Sequence, residues 1–174
     1  MNFFKHHKVN NGFTRTHKYV SGFTLVEVLV ACSIITITTF SLLSGAAKGI
    51  ELSTRGLRQM QASYLLEEGG EAVKTIRDAA WTNISGLTVG TTYYLSYNNG
   101  TNVWSLSTTS NTIDSVFTRT VVLSAVNRDG SDDITASGGT TDTRTKKVVI
   151  TVSWSASGTT VSKTLTLYIA DIFT

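Results

Sequence analysis

The 174 residues include no proline, a single cysteine and only three histidines. Without proline, no helix in this chain is broken or kinked by a pyrrolidine ring. A lone cysteine, Cys32, excludes an intramolecular disulfide; set in an apolar run, it is expected to pack as a small hydrophobe. The histidines, His6, His7 and His17, all lie near the amino terminus, so residues 18–174 hold no imidazole for acid–base or triad chemistry. No GxSxG, HExxH or GxxxxGK[ST] pattern occurs, and the carboxylates form no catalytic pair, so the chain reads as a non-enzyme without a cofactor. Acids are missing from residues 1–22, which carry Lys5, Lys8, Arg15 and Lys18. Four of the 15 basic residues therefore sit in that segment, leaving 11 against all 12 acids in the remainder. The pI of 9.1 thus reflects residues 1–22, and a nucleic-acid-binding basic surface is excluded for the rest.

What is present begins with one long uncharged stretch. Within "SGFTLVEVLVACSIITITTFSLLSGAA", residues 21–47, the one acid is Glu27, and Val28–Ala47 carries no charge. Residues 23–47 suffice to cross a bilayer, which takes roughly 20 apolar residues. Basic residues ahead of the stretch orient it with its amino terminus in the cytoplasm. A secretory signal would instead be cut after the stretch, and "SGAA" at 44–47 would serve that purpose. Thr24, Ser33, Thr36, Thr38, Thr39, Ser41 and Ser44 dilute the hydrophobicity. Their hydroxyls can bond back to the preceding helical turn, and small polar residues also suit packing among other helices. A carboxylate at bilayer depth costs a few kcal/mol or more and marks a functional site by default.

Residues 48–82 continue as an amphipathic helix. Leu57, Met60, Tyr64, Val73, Ile76 and Ala80 recur at three-to-four-residue spacing and form the expected buried stripe. Lys74 and Asp78, one turn apart, attract; Glu67 and Glu71 repel. Gly69 and Gly70 each cost about 1 kcal/mol relative to alanine; they mark a bend, a close helix contact, or a merely tolerated pair.

From about residue 84 the period changes to two. "TYYLSY" (92–97) and "NVWSL" (102–106) flank a turn at Asn98–Gly100. "VFTRTVVLSAV" (116–126) is a strand by its β-branched content. Val148, Ile150, Val152 and Trp154 alternate in "KKVVITVSW", and Val161, Leu165, Leu167 and Ile169 alternate after the "SASG" turn. Such a hairpin has one buried and one solvated face, and the amphipathic helix is the available cover. The expected fold is α+β: a long amino-terminal helix, its first half membrane-spanning, packed on an antiparallel sheet of four or five strands. Tyr93, Tyr94, Tyr97, Trp104 and Trp154 are assigned to sheet packing ahead of an adhesive surface.

The residues "GFTLVEVLVA", Gly22 to Ala31, resemble the processing motif of type IV prepilins and pseudopilins: a basic leader ending in Gly, then Phe-Thr-Leu, an apolar residue, Glu and an uncharged helix. The chain departs from many relatives in lacking a helix proline, Ser44 and Gly45 standing in that region, and in lacking a carboxy-terminal cysteine pair. The resemblance implies four segments: a leader (1–22) removed by the prepilin peptidase, a transmembrane and assembly half-helix (23–47), an amphipathic half-helix (48–82) and a β-sheet domain (83–174). It implies cleavage after Gly22, N-methylation of the new terminus at Phe23, and assembly through Glu27, paired with the amine of a neighbouring subunit or its own. A snorkelling helix-end glutamate is the alternative for Glu27. The implied partners are the prepilin peptidase, other pilin subunits, an inner-membrane assembly platform and, before assembly, membrane lipid. The implied location is the bacterial cytoplasmic membrane, single-pass with the amino terminus inside, and then a surface filament.

The resulting expectation is a structural filament subunit serving adhesion, motility or DNA uptake. The alternatives are a pseudopilin of a type II secretion system and a signal-anchored binding protein that never polymerises. The loop "NRDGSDDITASGGTTDT", within 127–143, gathers Asp129, Asp132, Asp133 and Asp142. It departs from EF-hand spacing, and a solvated turn is favoured over a calcium site.

Overall fold

The computed structural model describes residues 22–172. The expected leader therefore lies outside the described residues except for Gly22. The chain forms two compact units that divide between Lys48 and Gly49, and one helix, α1 (Leu25–Ala79), contributes to both.

In the first unit every described residue, from Gly22 to Lys48, is exposed, and none of the most apolar part of α1 is buried. Cys32 is exposed with the rest; the expected packing of its thiol finds no partner within the described chain. The hydroxyls behave as their position demands. Ser33 donates to Leu29 O at 2.8 Å, Thr36 to Cys32 O at 2.7 Å, Thr39 to Ile35 O at 2.8 Å and Ser41 to Ile37 O at 2.9 Å. Each of these hydroxyls is thus satisfied inside the helix, which is the condition for passing through hydrocarbon.

The second unit holds the rest of α1, a short helix α2 (Thr82–Ser85) and six strands: β1 (Thr92–Asn98), β2 (Val103–Ser107), β3 (Phe117–Arg128), β4 (Ile134–Thr135), β5 (Thr140–Ala156) and β6 (Thr159–Ala170). All pairings are antiparallel, in the order β2-β1-β3-β5-β6, with β4 on β3. The two turns read from sequence close as their residues require. Asn98 Oδ1 accepts from Gly100 N and Thr101 N between β1 and β2. Ser157 and Gly158 both take positive φ between β5 and β6, the geometry of a tight two-residue hairpin. One feature was not legible: between Ala125 and Val126 the β3–β5 register shifts, so that Val126 pairs with Asp142 and Thr143–Thr145 become extra residues on β5.

The core lies between α1 and one face of the sheet. Tyr93, Leu95, Phe117, Val121, Leu123, Val148, Ile150, Val152, Trp154 and Ile169 meet Ala62, Leu66, Ala72, Val73 and Ile76. Each fully buried valine or isoleucine contributes about 1.5–3 kcal/mol. The helical stripe expected from sequence is corrected here. Val73 and Ile76 are buried, but Leu57, Met60 and Tyr64 are 56%, 56% and 63% exposed. The helix face against the sheet mixes small residues, Ala62, Gly69, Gly70 and Ala72, with Leu66, Val73 and Ile76, while Leu57, Met60 and Tyr64 point away from it.

Gly69 explains why the helix sits where it does. A Cβ there would come within 3.1 Å of Arg119 Cδ and 3.2 Å of Ile150 Cγ2, whereas at Gly70 the nearest atom is Leu165 Cδ2 at 3.4 Å. The pair marks a close helix–sheet approach, strict at the first glycine only. Beneath Gly69, Arg119 is 3% exposed. It donates to Leu65 O at 3.0 Å and Glu68 Oε2 at 2.6 Å, and its guanidinium lies 5.4 Å from the Trp104 ring centre. The helical ion pairs also differ from expectation: Lys74 bonds Glu71 at 2.7 Å, relieving the Glu67–Glu71 repulsion, and Asp78 goes to Arg77.

Candidate processing and assembly site

Gly22, Phe23 and Thr24 precede the first helical residue, Leu25, and are exposed. Thr24 is the N-cap of α1. Its Oγ1 accepts from Glu27 N at 3.2 Å, and its carbonyl accepts from Val28 N at 3.1 Å. Helices leave their first four N–H groups without partners, and a threonine three residues ahead of a glutamate is a recurrent way to begin one. Glu27 therefore occupies the first turn, where its negative charge opposes the positive end of the helix dipole. This capping role of Thr24 was missed in the sequence, although the T-x-x-E spacing signals it.

The structure places Thr24 and Glu27 within one turn and leaves Gly22 and Phe23 as non-helical residues before them. Phe23 is 82% exposed, and Leu25 and Val26 are also bare. The Gly22–Phe23 bond, where cleavage is expected, thus lies outside the helix and is exposed. The first unit presents an exposed apolar helix whose sole acid is Glu27.

Residues 17–43 match the family model described as the prokaryotic N-terminal methylation motif. The chain carries the hallmark of the type IV pilin and pseudopilin family. That motif spans the segment containing Gly22, Phe23, Thr24 and Glu27, and ends inside the uncharged half of α1. No curated protein and no solved structure matches the chain. The α+β architecture, a long helix apolar at its start with an antiparallel sheet, is the one expected from sequence.

The Asp-rich loop is organised by its own backbone and by one arginine. Asp129 Oδ1 accepts from Ser131 N at 2.9 Å and Asp133 N at 3.1 Å, closing a turn. Arg128 Nε donates to Asp142 Oδ2 at 2.7 Å, and its Nη1 donates to Asp132 O at 2.8 Å. The Thr145 hydroxyl and the Arg128 guanidinium hold the Asp142 carboxyl down to about 2, and bonding to Asp142 raises Arg128. An arginine thus supplies the positive charge at this loop, and among the described residues no group of three metal-ligating side chains is gathered. Of the aromatic residues, Tyr93 and Trp154 are buried in the core, while Tyr97 packs on Trp104 with ring centres 5.0 Å apart.

Proposed function

We propose that this chain is a structural filament subunit, inserted in the cytoplasmic membrane through residues 23–47 and drawn from it into a polymer. The observation that carries the reading is the methylation motif set on an exposed, uncharged helix whose one acid stands in its first turn. The prepilin peptidase cleaves after Gly22 and methylates the amine of Phe23. Cleavage creates an ammonium just before the helix start, where the dipole disfavours positive charge. Glu27 lies four residues on, in the first turn of the helix, and its carboxylate neutralises such an amine. Left alone in hydrocarbon, Glu27 costs a few kcal/mol; paired with the amine of an adjacent subunit, it becomes a docking group that sets axial register. The half-helix 23–47 packs among its copies, residues 48–82 join it to the sheet, and residues 83–174 face outward. In this role the chain catalyses nothing and relies on a separate assembly platform and motor.

The test is mass spectrometry of the chain from its native host together with two variants. The parent is expected to begin at N-methylated Phe23. Gly22→Val is expected to retain the leader and stay out of filaments. Glu27→Ala is expected to be cleaved yet strongly depleted from filaments. A native chain that begins upstream of Phe23, or a Glu27→Ala chain incorporated like the parent, overturns the proposal.

A further inference from the structure

The main strand order ends in two edges, β2 and β6, the two-residue β4 lying off it on β3. A free edge is a row of unpaired backbone donors and acceptors, and soluble proteins blunt theirs with charge, proline, bulges or short length. Edge β6 has one such guard, an inward-directed lysine, and lacks the others. It runs twelve residues in unbroken register with β5, from Thr159↔Ala156 to Ala170↔Thr145, and contains no proline. Its one charge, Lys163, is directed to α1, where Nζ contacts Ser63 Oγ at 2.9 Å and Gln59 O at 3.3 Å. The solvent face of β6 shows Thr160, Ser162, Thr164, Thr166 and Tyr168, all uncharged. On its helix-facing side Val161, Leu165 and Leu167 remain half-buried, so the core is left open along this edge. Edge β2 is also uncharged, and its Trp104 and Leu106 are half-buried on the same side of the sheet.

Direction decides the partner. Every pairing in the order β2-β1-β3-β5-β6 is antiparallel, so β2 and β6 run the same way. Two copies placed side by side in the same orientation therefore bring β6 of one to β2 of the next as a parallel pair. That contact is heterologous: it leaves a free edge at each end and propagates, whereas β6 against β6 is isologous and closes after two copies. We infer that in the assembled state β6 pairs with β2 of a second copy, extending the sheet from subunit to subunit by strand addition. The apolar rows join as well, Trp104 and Leu106 lying beside the half-open Val161, Leu165 and Leu167 of the neighbour. The inference rests on the filament reading above and adds the outer contact to the one made by the helices.

The test uses the full chain, assembled in its host, with Cys32→Ser as parent so that every thiol is introduced. Ser105→Cys on the solvent face of β2 is combined in turn with a cysteine at Thr160, Ser162, Thr164, Thr166 and Tyr168, which covers the registers along β6. Purified filaments are treated with oxidant or a short bis-maleimide and run under denaturing conditions. One or two adjacent double variants are expected to give a ladder extending beyond dimers, and no single variant is expected to exceed monomer. Filaments in which all five doubles stay monomeric overturn the pairing while leaving the filament reading intact. A dimer from a β6 single variant overturns it in favour of the isologous pair. A parent chain that never forms filaments overturns the underlying reading, and the inference with it.

Discussion

Alanine at Gly70 should stabilise the protein and alanine at Gly69 should not, although the residues are adjacent in one helix. Each substitution gains about 1 kcal/mol of helix propensity. At Gly70 the new methyl meets Leu165 Cδ2 at 3.4 Å, an ordinary contact, so Gly70→Ala should keep that gain. At Gly69 it meets Arg119 Cδ at 3.1 Å and Ile150 Cγ2 at 3.2 Å. Ile150 is fully buried on the central part of the sheet and Arg119 is held by Leu65 O and Glu68, so neither yields freely. Overpacking of this kind costs about 1–3 kcal/mol, which leaves Gly69→Ala between neutral and about 2 kcal/mol destabilised. The two variants should therefore differ by about 1–3 kcal/mol, or roughly 3–9 °C in Tm for a unit of this size. Thermal and urea unfolding of the full chain in detergent, followed by tryptophan fluorescence, measures this, since Trp81, Trp104 and Trp154 all lie in the sheet-bearing unit. A Gly69→Ala variant stabilised as much as Gly70→Ala would refute the close approach.

Two further outcomes follow from the charges. Glu68→Ala leaves the buried Arg119 with fewer partners; with Glu68 itself half-exposed, the loss should be about 1–2 kcal/mol, against at most about 0.5 kcal/mol for Glu71→Ala, whose pair with Lys74 is solvated. Equal effects in denaturant melts would show that Arg119 does not depend on Glu68. Asp142, held down to about 2 against an ordinary 3.8, contributes stability that is complete above about pH 4 and lost as pH falls towards 2. Asp142→Asn should flatten that part of the stability–pH profile, and an unchanged acid limb would remove Asp142 as its source.

The roles expected of Gly22, Phe23 and Glu27 rest on a local pattern. A glycine, a phenylalanine and an acid in an otherwise uncharged run fall within six consecutive positions, and the two hairpin turns are equally local. The strands β1, β3, β5 and β6 were legible because alternation has a period of two wherever one face is buried. Thr24 was a local signal passed over: its hydroxyl caps the helix that Glu27 begins.

The sequence by itself determined that an uncharged helix opens on one acid and leads to an alternating antiparallel sheet, because period and charge are properties of neighbours in the chain. Tertiary structure decided how far along α1 the buried face extends and where it turns. Spacing pointed to Leu57, Met60 and Tyr64 together with Val73 and Ile76; only the last two are buried, and at Gly69 the sheet, filled by Ile150, Leu95 and Arg119, leaves little room for a side chain. It also decided that β2 and β6 are the free edges and run in the same direction, since strand order depends on contacts between residues far apart in sequence, which no local pattern encodes.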